Sequence, residues 1–186
     1  MPTTASHEAN RSVFAPSNRV AALLLSISIL SGACHSARPT SRFANSGNMN
    51  QIIETLRNAY AAFNRGDMDS AVAQMDSNIE WVEPLEFAGG GRRRGREAVK
   101  QYLLESRSGW AEGSSEPEGF VISNDNVVVF VRARFRLRNS STWQEVKLAD
   151  VYTVHDNNIV AMHAFVDRKE ALRWANTTDE LYKEAS

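Results

Sequence analysis

Asp150 occupies a position where the surrounding pattern calls for an apolar residue. From Gln144 to Val154 the chain alternates as a strand half-buried in a core, and Val146, Leu148, Tyr152 and Val154 share one face with Asp150 in the middle of it. A carboxylate on a core-facing row must be paired, hydrogen-bonded or protonated, because an isolated buried charge is too costly. Asp150 is therefore the first candidate for a working residue. Other chemistries find little support. His155 falls in a turn and His163 on the face opposite Met162 and Ala164, with no second ligand at metal spacing, so no metal is expected. The single cysteine, Cys34, excludes an internal disulfide and a multi-cysteine metal site. No Ser-His-Asp or Cys-His arrangement is visible. The run Gly89 to Arg96 resembles a phosphate cradle only superficially. No Gly-Lys-Ser/Thr follows it and no long strand precedes it, so it reads as a solvated loop.

The elements that must hold Asp150 follow from periodicity. The chain has 186 residues, enough for one compact domain with appendages, and its net charge of −1 favours neither nucleic acid nor an acidic surface as partner. Arg11 and Arg19 precede an apolar run, Val20 to Leu30, that is too short to span a bilayer and is followed by Ser31-Gly32-Ala33-Cys34. That pattern reads as an export sequence over residues 1–34, giving a periplasmic or envelope-anchored protein. It also resembles a bacterial lipobox with Cys34 as the lipidated residue, although Leu30 stands one position too far upstream. An over-extended start codon is the other reading. A lipid on Cys34 is the single route foreseen to a membrane. His35 to Asn48 reads as a flexible tether.

The domain is expected over 49–175. Ile52, Ile53, Leu56, Ala59, Tyr60 and Phe63 recur at helical spacing. Gly66 stops that helix and Asp67 caps a second one, whose inner face is Met68, Ala71, Val72 and Met75. A short strand, Ile79 to Glu83, ends at Pro84. A third helix, about Arg96 to Ser106, turns Val99, Tyr102 and Leu103 inward. Gly109 to Gly119 reads as turn-rich, with an irregular strand in its later part as the alternative. Val127, Val129, Val131, Ala133, Phe135 and Leu137 then take one face of a strand, while Arg132, Arg134, Arg136 and Arg138 take the other. A turn centred on Ser140-Ser141 sets Arg136 against Glu145 and Asp150 against Val131. The arginine stripe reads as a salt-bridged outer face or a dimer surface. The last strand is Ile159 to Val166, a terminal helix covers Lys169 to Ala175, and 176–186 is expected to fray. Helices on one face of a curved antiparallel sheet make an α+β domain.

Five blocks, in order, carry a family resemblance: Tyr60 to Asp69, Glu80 to Pro84, Gly95 to Val99, Ala149 to Tyr152 and Ala164 to Asp167. Together they resemble the SnoaL-like group of the nuclear transport factor 2-like superfamily, which also holds ketosteroid isomerases and polyketide cyclases. The resemblance covers about Met49 to Ala175. It implies a single cone-shaped domain, a bent antiparallel sheet wrapped around three helices with an apolar pocket at the open end. It also implies cofactor-independent chemistry and raises the expectation of a homodimer.

By the same resemblance, Glu83 and its neighbour Pro84 match the isomerase acid-base carboxylate, and Asp150 matches the neutral acid that donates a hydrogen bond. The isomerase tyrosine aligns with Ala59. Tyr60 stands one step on, about 100° around the helix, and is expected to line the pocket without taking that role; Tyr152, on the face of Asp150, is the substitute. Phe63, Trp81, Tyr102, Trp110, Phe135, Leu148 and Met162 complete the expected pocket, each of them equally at home in a plain core. Two functional readings follow. In one, Glu83 and Asp150 move a proton on a small, largely apolar molecule, by isomerisation, cyclisation or hydration. In the other, the same pocket binds a ligand, or the domain oligomerises, without catalysis.

Overall fold

The computed structural model describes residues 42–184, which lie in one compact unit, Thr40–Ser186. The expectations for residues 1–34, including Cys34 and its lipid, lie outside the described residues.

The first helix, α1 (Arg42–Arg65), begins within the segment read as tether. Once an apolar stripe is packed, a helix extends from it at the gain of one hydrogen bond per residue fixed, which does not need an apolar pattern to continue. Ile52, Ile53, Leu56 and Tyr60 are the buried row of that stripe. Gly66 closes the helix at a φ of +80°, and Asp67 caps α2 (Met68–Val72) by accepting from the Ser70 amide at 3.1 Å. Strand β1 (Met75–Glu83) and α3 (Arg96–Ser108) follow, joined by β2 (Gly91–Arg94). The glycine-arginine segment is thus not wholly loop. Its residues 91–94 pair antiparallel with β1, Glu83 opposite Gly91 and Glu80 opposite Arg94. Backbone pairing along an open edge outweighs the weak strand propensity of Gly and Arg.

Four long strands complete the framework: β3 (Trp110–Ser123), β4 (Asn126–Leu137), β5 (Trp143–His155) and β6 (Asn158–Phe165). The segment read as turn-rich is the first half of β3. Its glycine and proline sit at irregularities rather than turns: Gly113 has a φ of +138° and lies so close to the β4 backbone that a Cβ would meet the Arg134 carbonyl at 2.5 Å, and the register shifts between Pro117 and Gly119. Such bulges bend a strand while preserving its pairing. The sheet order is β2-β1-β6-β5-β4-β3, with the short β7 (Lys183–Glu184) beyond β3, an open, curved sheet in an α+β arrangement. Its neighbours are antiparallel except β1 and β6, which run parallel.

The β4–β5 register differs from expectation by two residues: Asp150 faces Val129, not Val131, and Glu145 faces Arg134, not Arg136. A shift of two leaves every side chain on its face. The arginine stripe finds its carboxylates on β3 instead. Arg132 reaches Glu118 at 3.3 Å, Arg136 pairs with Glu112, and Arg134 lies over the Trp143 ring at 4.7 Å.

The helices do not all share one face. α1, α2 and α3 pack with the inner rows of the sheet, centred on Leu56, Ile79, Val99, Val127, Val129 and Met162. α4 (Arg168–Trp174) covers the opposite face, where Ala171 and Leu172 pack on Val128, Ala149 and Val151. The tail is also ordered further than expected. After a 3-10 turn at Asp179–Leu181, β7 (Lys183–Glu184) pairs with β3, and the Tyr182 ring occupies the space a Cβ on Gly119 would need and stacks on Phe130.

Candidate functional site

A cavity of about 640 Å³ opens between α1, α3 and the inner face of the sheet. That volume suits a small organic ligand. Glu83 and Asp150 both line it. β5 aims Asp150 inward because its alternation places Leu148, Asp150 and Tyr152 on the concave side and Ala149 and Val151 against α4. β1 aims Glu83 in the same way, from its last residue, with Trp81 two positions earlier on the same side.

Each carboxylate has its own donors. The Tyr60 hydroxyl donates to Asp150 Oδ2 at 2.5 Å, and the Tyr152 hydroxyl donates to the Tyr60 oxygen at 3.2 Å. Tyr60 is thus the tyrosine that meets the Asp150 carboxylate. Tyr60 stands four residues after Leu56 and seven after Ile53, so the core-facing stripe of α1 itself carries it inward. That spacing was available in the sequence and outweighs a one-residue alignment offset. Tyr152, expected as the substitute, stands behind Tyr60 rather than on the carboxylate. On the other side of the cavity, Trp81 Nε1 donates to Glu83 Oε1 at 2.9 Å, and the Tyr102 hydroxyl lies against the same carboxyl.

Burial dominates the electrostatics. It pushes Glu83 up to about 8, helped by the negative charge of Asp150 and opposed by Trp81, Arg93 and Tyr102. It pushes Asp150 up to about 6 against the opposing hydrogen bond from Tyr60. The two acids feel each other, so these values describe the pair, which holds a single proton near neutrality. Tyr60, Tyr152 and Tyr102 are all held above the ordinary tyrosine range, first by burial and then by the adjacent carboxylates, and remain neutral donors.

Phe63, Trp81, Tyr102, Trp110, Phe135 and Leu148 line the cavity, with Phe63 edge-on to Trp110 and Trp110 stacked on Phe135 at 4.6 Å. Met162 does not. It is fully buried between Trp81 and Tyr152 in the sheet, where the neighbouring strands leave it no open side. Arg93 was missed. Its guanidinium lies over the Tyr102 ring at 3.7 Å and donates to the Gly89 carbonyl, and it is the one cation on the cavity wall. Only the pairing of β2 with β1 turns it inward. Among the described residues no cluster suited to a metal occurs, and no helix is long and apolar enough to cross a membrane.

No curated protein matches the sequence. Solved structures do. An NTF2-like protein of unknown function from Burkholderia pseudomallei is 23% identical, with 65% of this chain and 94% of that one covered at a TM-score of 0.56. A putative isomerase from Bacillus subtilis is 19% identical over 69% of this chain and 94% of its own, with a TM-score of 0.57. An epoxide hydrolase/cyclase-like enzyme with a role in pyran ring formation in the polyether salinomycin is 21% identical over 65% and 94%, with a TM-score of 0.54. At these identities the likeness is one of fold, the NTF2-like cone, which serves ligand-binding and isomerase-type proteins. The model of the SnoaL-like domain matches residues 56–162, more than half of the sequence, and the chain belongs to that family.

Proposed function

We propose that the protein binds a small, largely apolar molecule in this cavity and moves a proton on it without a cofactor, in an isomerisation, cyclisation or hydration. One observation carries the reading: Glu83 and Asp150 line the same cavity, each with its own hydrogen-bond donors, and burial raises both above the ordinary carboxylate range. A pair in that state offers a base and an acid at once. One acid of the pair holds the proton and the other is ionised: the ionised one is the proposed base and the protonated one the proposed acid. Trp81 and Tyr102 hold Glu83 in place, and Tyr60 occupies Oδ2 of Asp150 and leaves Oδ1 to meet the ligand. The partial burial of the pair strengthens both interactions. The isomerase and cyclase names among the structural neighbours agree with this class of reaction.

The test is deuterium exchange at carbons next to the carbonyl of small cyclic enones, followed by NMR in heavy water. Exchange above the buffer rate is expected, and Glu83→Gln should lower it by about 100-fold or more. Exchange indifferent to both Glu83→Gln and Asp150→Asn would refute the assignment. Ligand binding with no exchange for any probe would instead favour the non-catalytic reading.

The proposed address is the cell envelope, and it rests on the Val20–Leu30 run alone. Intact-mass measurement of the protein from a bacterial envelope fraction checks it. An acylated mature N-terminus at Cys34 is the expected result for a lipoprotein; an unprocessed chain in the cytoplasmic fraction would reject export. A homodimer, proposed on the resemblance alone, is checked by native mass spectrometry.

A further inference from the structure

We propose that the natural ligand carries a cationic group, an amine in its ammonium form, seated between Asp150 and Glu83. The proposal rests on the reading of the cavity as a ligand site and names the charge of what fills it.

The cavity is acidic from depth to rim. Asp150 and Glu83 lie inside it, Glu86 and Glu105 line it at exposed positions, and the guanidinium of Arg93 is the single opposing charge. Arg93 is already engaged, stacked on Tyr102 and bonded to the Gly89 carbonyl. Asp150 is 9% exposed and receives one side-chain hydrogen bond, from Tyr60 to Oδ2, so Oδ1 faces the cavity without a protein donor. An acceptor that faces a largely apolar cavity in that condition is met well by a donor from the ligand.

Charge distinguishes between ligands that could supply the donor. A neutral hydroxyl satisfies Oδ1 but leaves two acids competing for one proton. An anion would meet four acidic side chains, of which the pair keeps one proton. An ammonium presents several N–H donors, enough to serve more than one acceptor, and neutralises the field that keeps the two acids from ionising together. The aromatic walls suit the same guest: Tyr60, Trp81, Tyr102 and Tyr152 surround the acids, and aromatic faces attract cations more strongly where water is excluded. With an ammonium in place, both carboxylates are ionised and the N–H groups supply the donor that the shared proton supplies in the empty cavity. Glu83 then remains available as base. Tyr60 and Tyr152 stay neutral throughout, because burial raises them far above the working range.

The experiment compares phenylbutylamine, phenylbutanol and phenylbutanoate, matched in shape and differing in charge, by isothermal titration calorimetry at pH 7.5 in two buffers of different ionisation enthalpy. The amine should bind about tenfold or more tightly than the alcohol, and the carboxylate most weakly. Amine binding should release up to about one proton per ligand, since it ionises the pair, whereas the alcohol should release none. Asp150→Asn and Glu83→Gln should each abolish the preference for amine over alcohol, with alcohol binding and circular dichroism reporting that the variants are folded. If neither variant folds, the proton release of the unmodified protein decides. An alcohol or carboxylate that binds as tightly as the amine, or amine binding without proton release, overturns the proposal while leaving a ligand cavity in place. Binding of none of the three would count against the cavity reading itself.

Discussion

The two faces of β5 are built from adjacent residues and end in opposite environments. Ala149 and Val151 pack against α4 in a closed layer with Val121, Val128 and Leu172. Leu148, Asp150 and Tyr152 face a cavity of about 640 Å³. On the α4 side Ala171 and Leu172 lie directly on the buried Val128, Ala149 and Val151 of the sheet. On the other side α1 and α3 approach a bent sheet with long aromatic side chains between, and the space left over is lined by polar groups that satisfy one another. A carboxyl is tolerated at Asp150 because Tyr60 donates to it and the open cavity lies beside it. The same carboxyl one residue away would have neither.

The largest expected effect tests that contrast directly. Val151→Asp places an unpaired acid in the closed layer and should cost about 4 kcal/mol or more, enough to unfold much of the protein. Asp150→Asn, in which the cavity side loses only charge, should cost far less at pH 8. Urea unfolding of both variants gives the comparison, and equal losses would show that the faces do not differ as described.

The pH dependence of stability is next. Both acids have folded-state values above their ordinary ones, Glu83 about 8 and Asp150 about 6. The folded form therefore binds more protons than the unfolded form between the ordinary carboxylate range and about pH 8. Stability then falls as pH rises across that window, by on the order of several kcal/mol in total. Thermal unfolding from pH 5 to pH 8 should show a falling Tm, and Asp150→Asn with Glu83→Gln should flatten it. A rising Tm in the unmodified protein would contradict the burial of the pair.

Leucine truncation separates the faces more finely. Leu172→Ala opens a void in the closed layer and should cost about 3 kcal/mol, while Leu148→Ala merely enlarges an existing cavity and should cost about 1 kcal/mol. Chemical denaturation resolves the difference. Tyr60→Phe falls between the two truncations: it removes a donor from a charged acceptor and should cost about 2 kcal/mol at pH 8, where Asp150 is ionised, and less at pH 5. A loss independent of pH would mean that Tyr60 contributes packing alone.

Much of this was legible from residue order. Strand alternation put Asp150 on the concave row, and it survived a two-residue error in register because the period of a strand is two. Helical spacing put Tyr60 in the core row of α1. The rest was not legible, for different reasons in different places. Arg93 faces the cavity because an edge pairing with β1 overrode a segment whose composition reads as loop. The first half of β3 looks like turns because Pro117 and Gly119 flank a bulge and Gly113 takes a positive φ where it crosses close to β4, residue choices that coincide with those of turns. Met162 belongs to the right face and still misses the cavity, since which part of a face is covered depends on the neighbouring strands.

Periodicity alone, then, determined which side of each element is buried, because that follows from local backbone geometry and the cost of wetting apolar surface. It determined that an acid lay among the buried side chains. Tertiary structure decided what the acid meets there. Glu83 and Asp150 are far apart in sequence, and their common cavity, their tyrosine donors and their shared proton exist only once β1, β5 and α1 converge. Electrostatic coupling and burial depend on distance in space, which residue order does not encode.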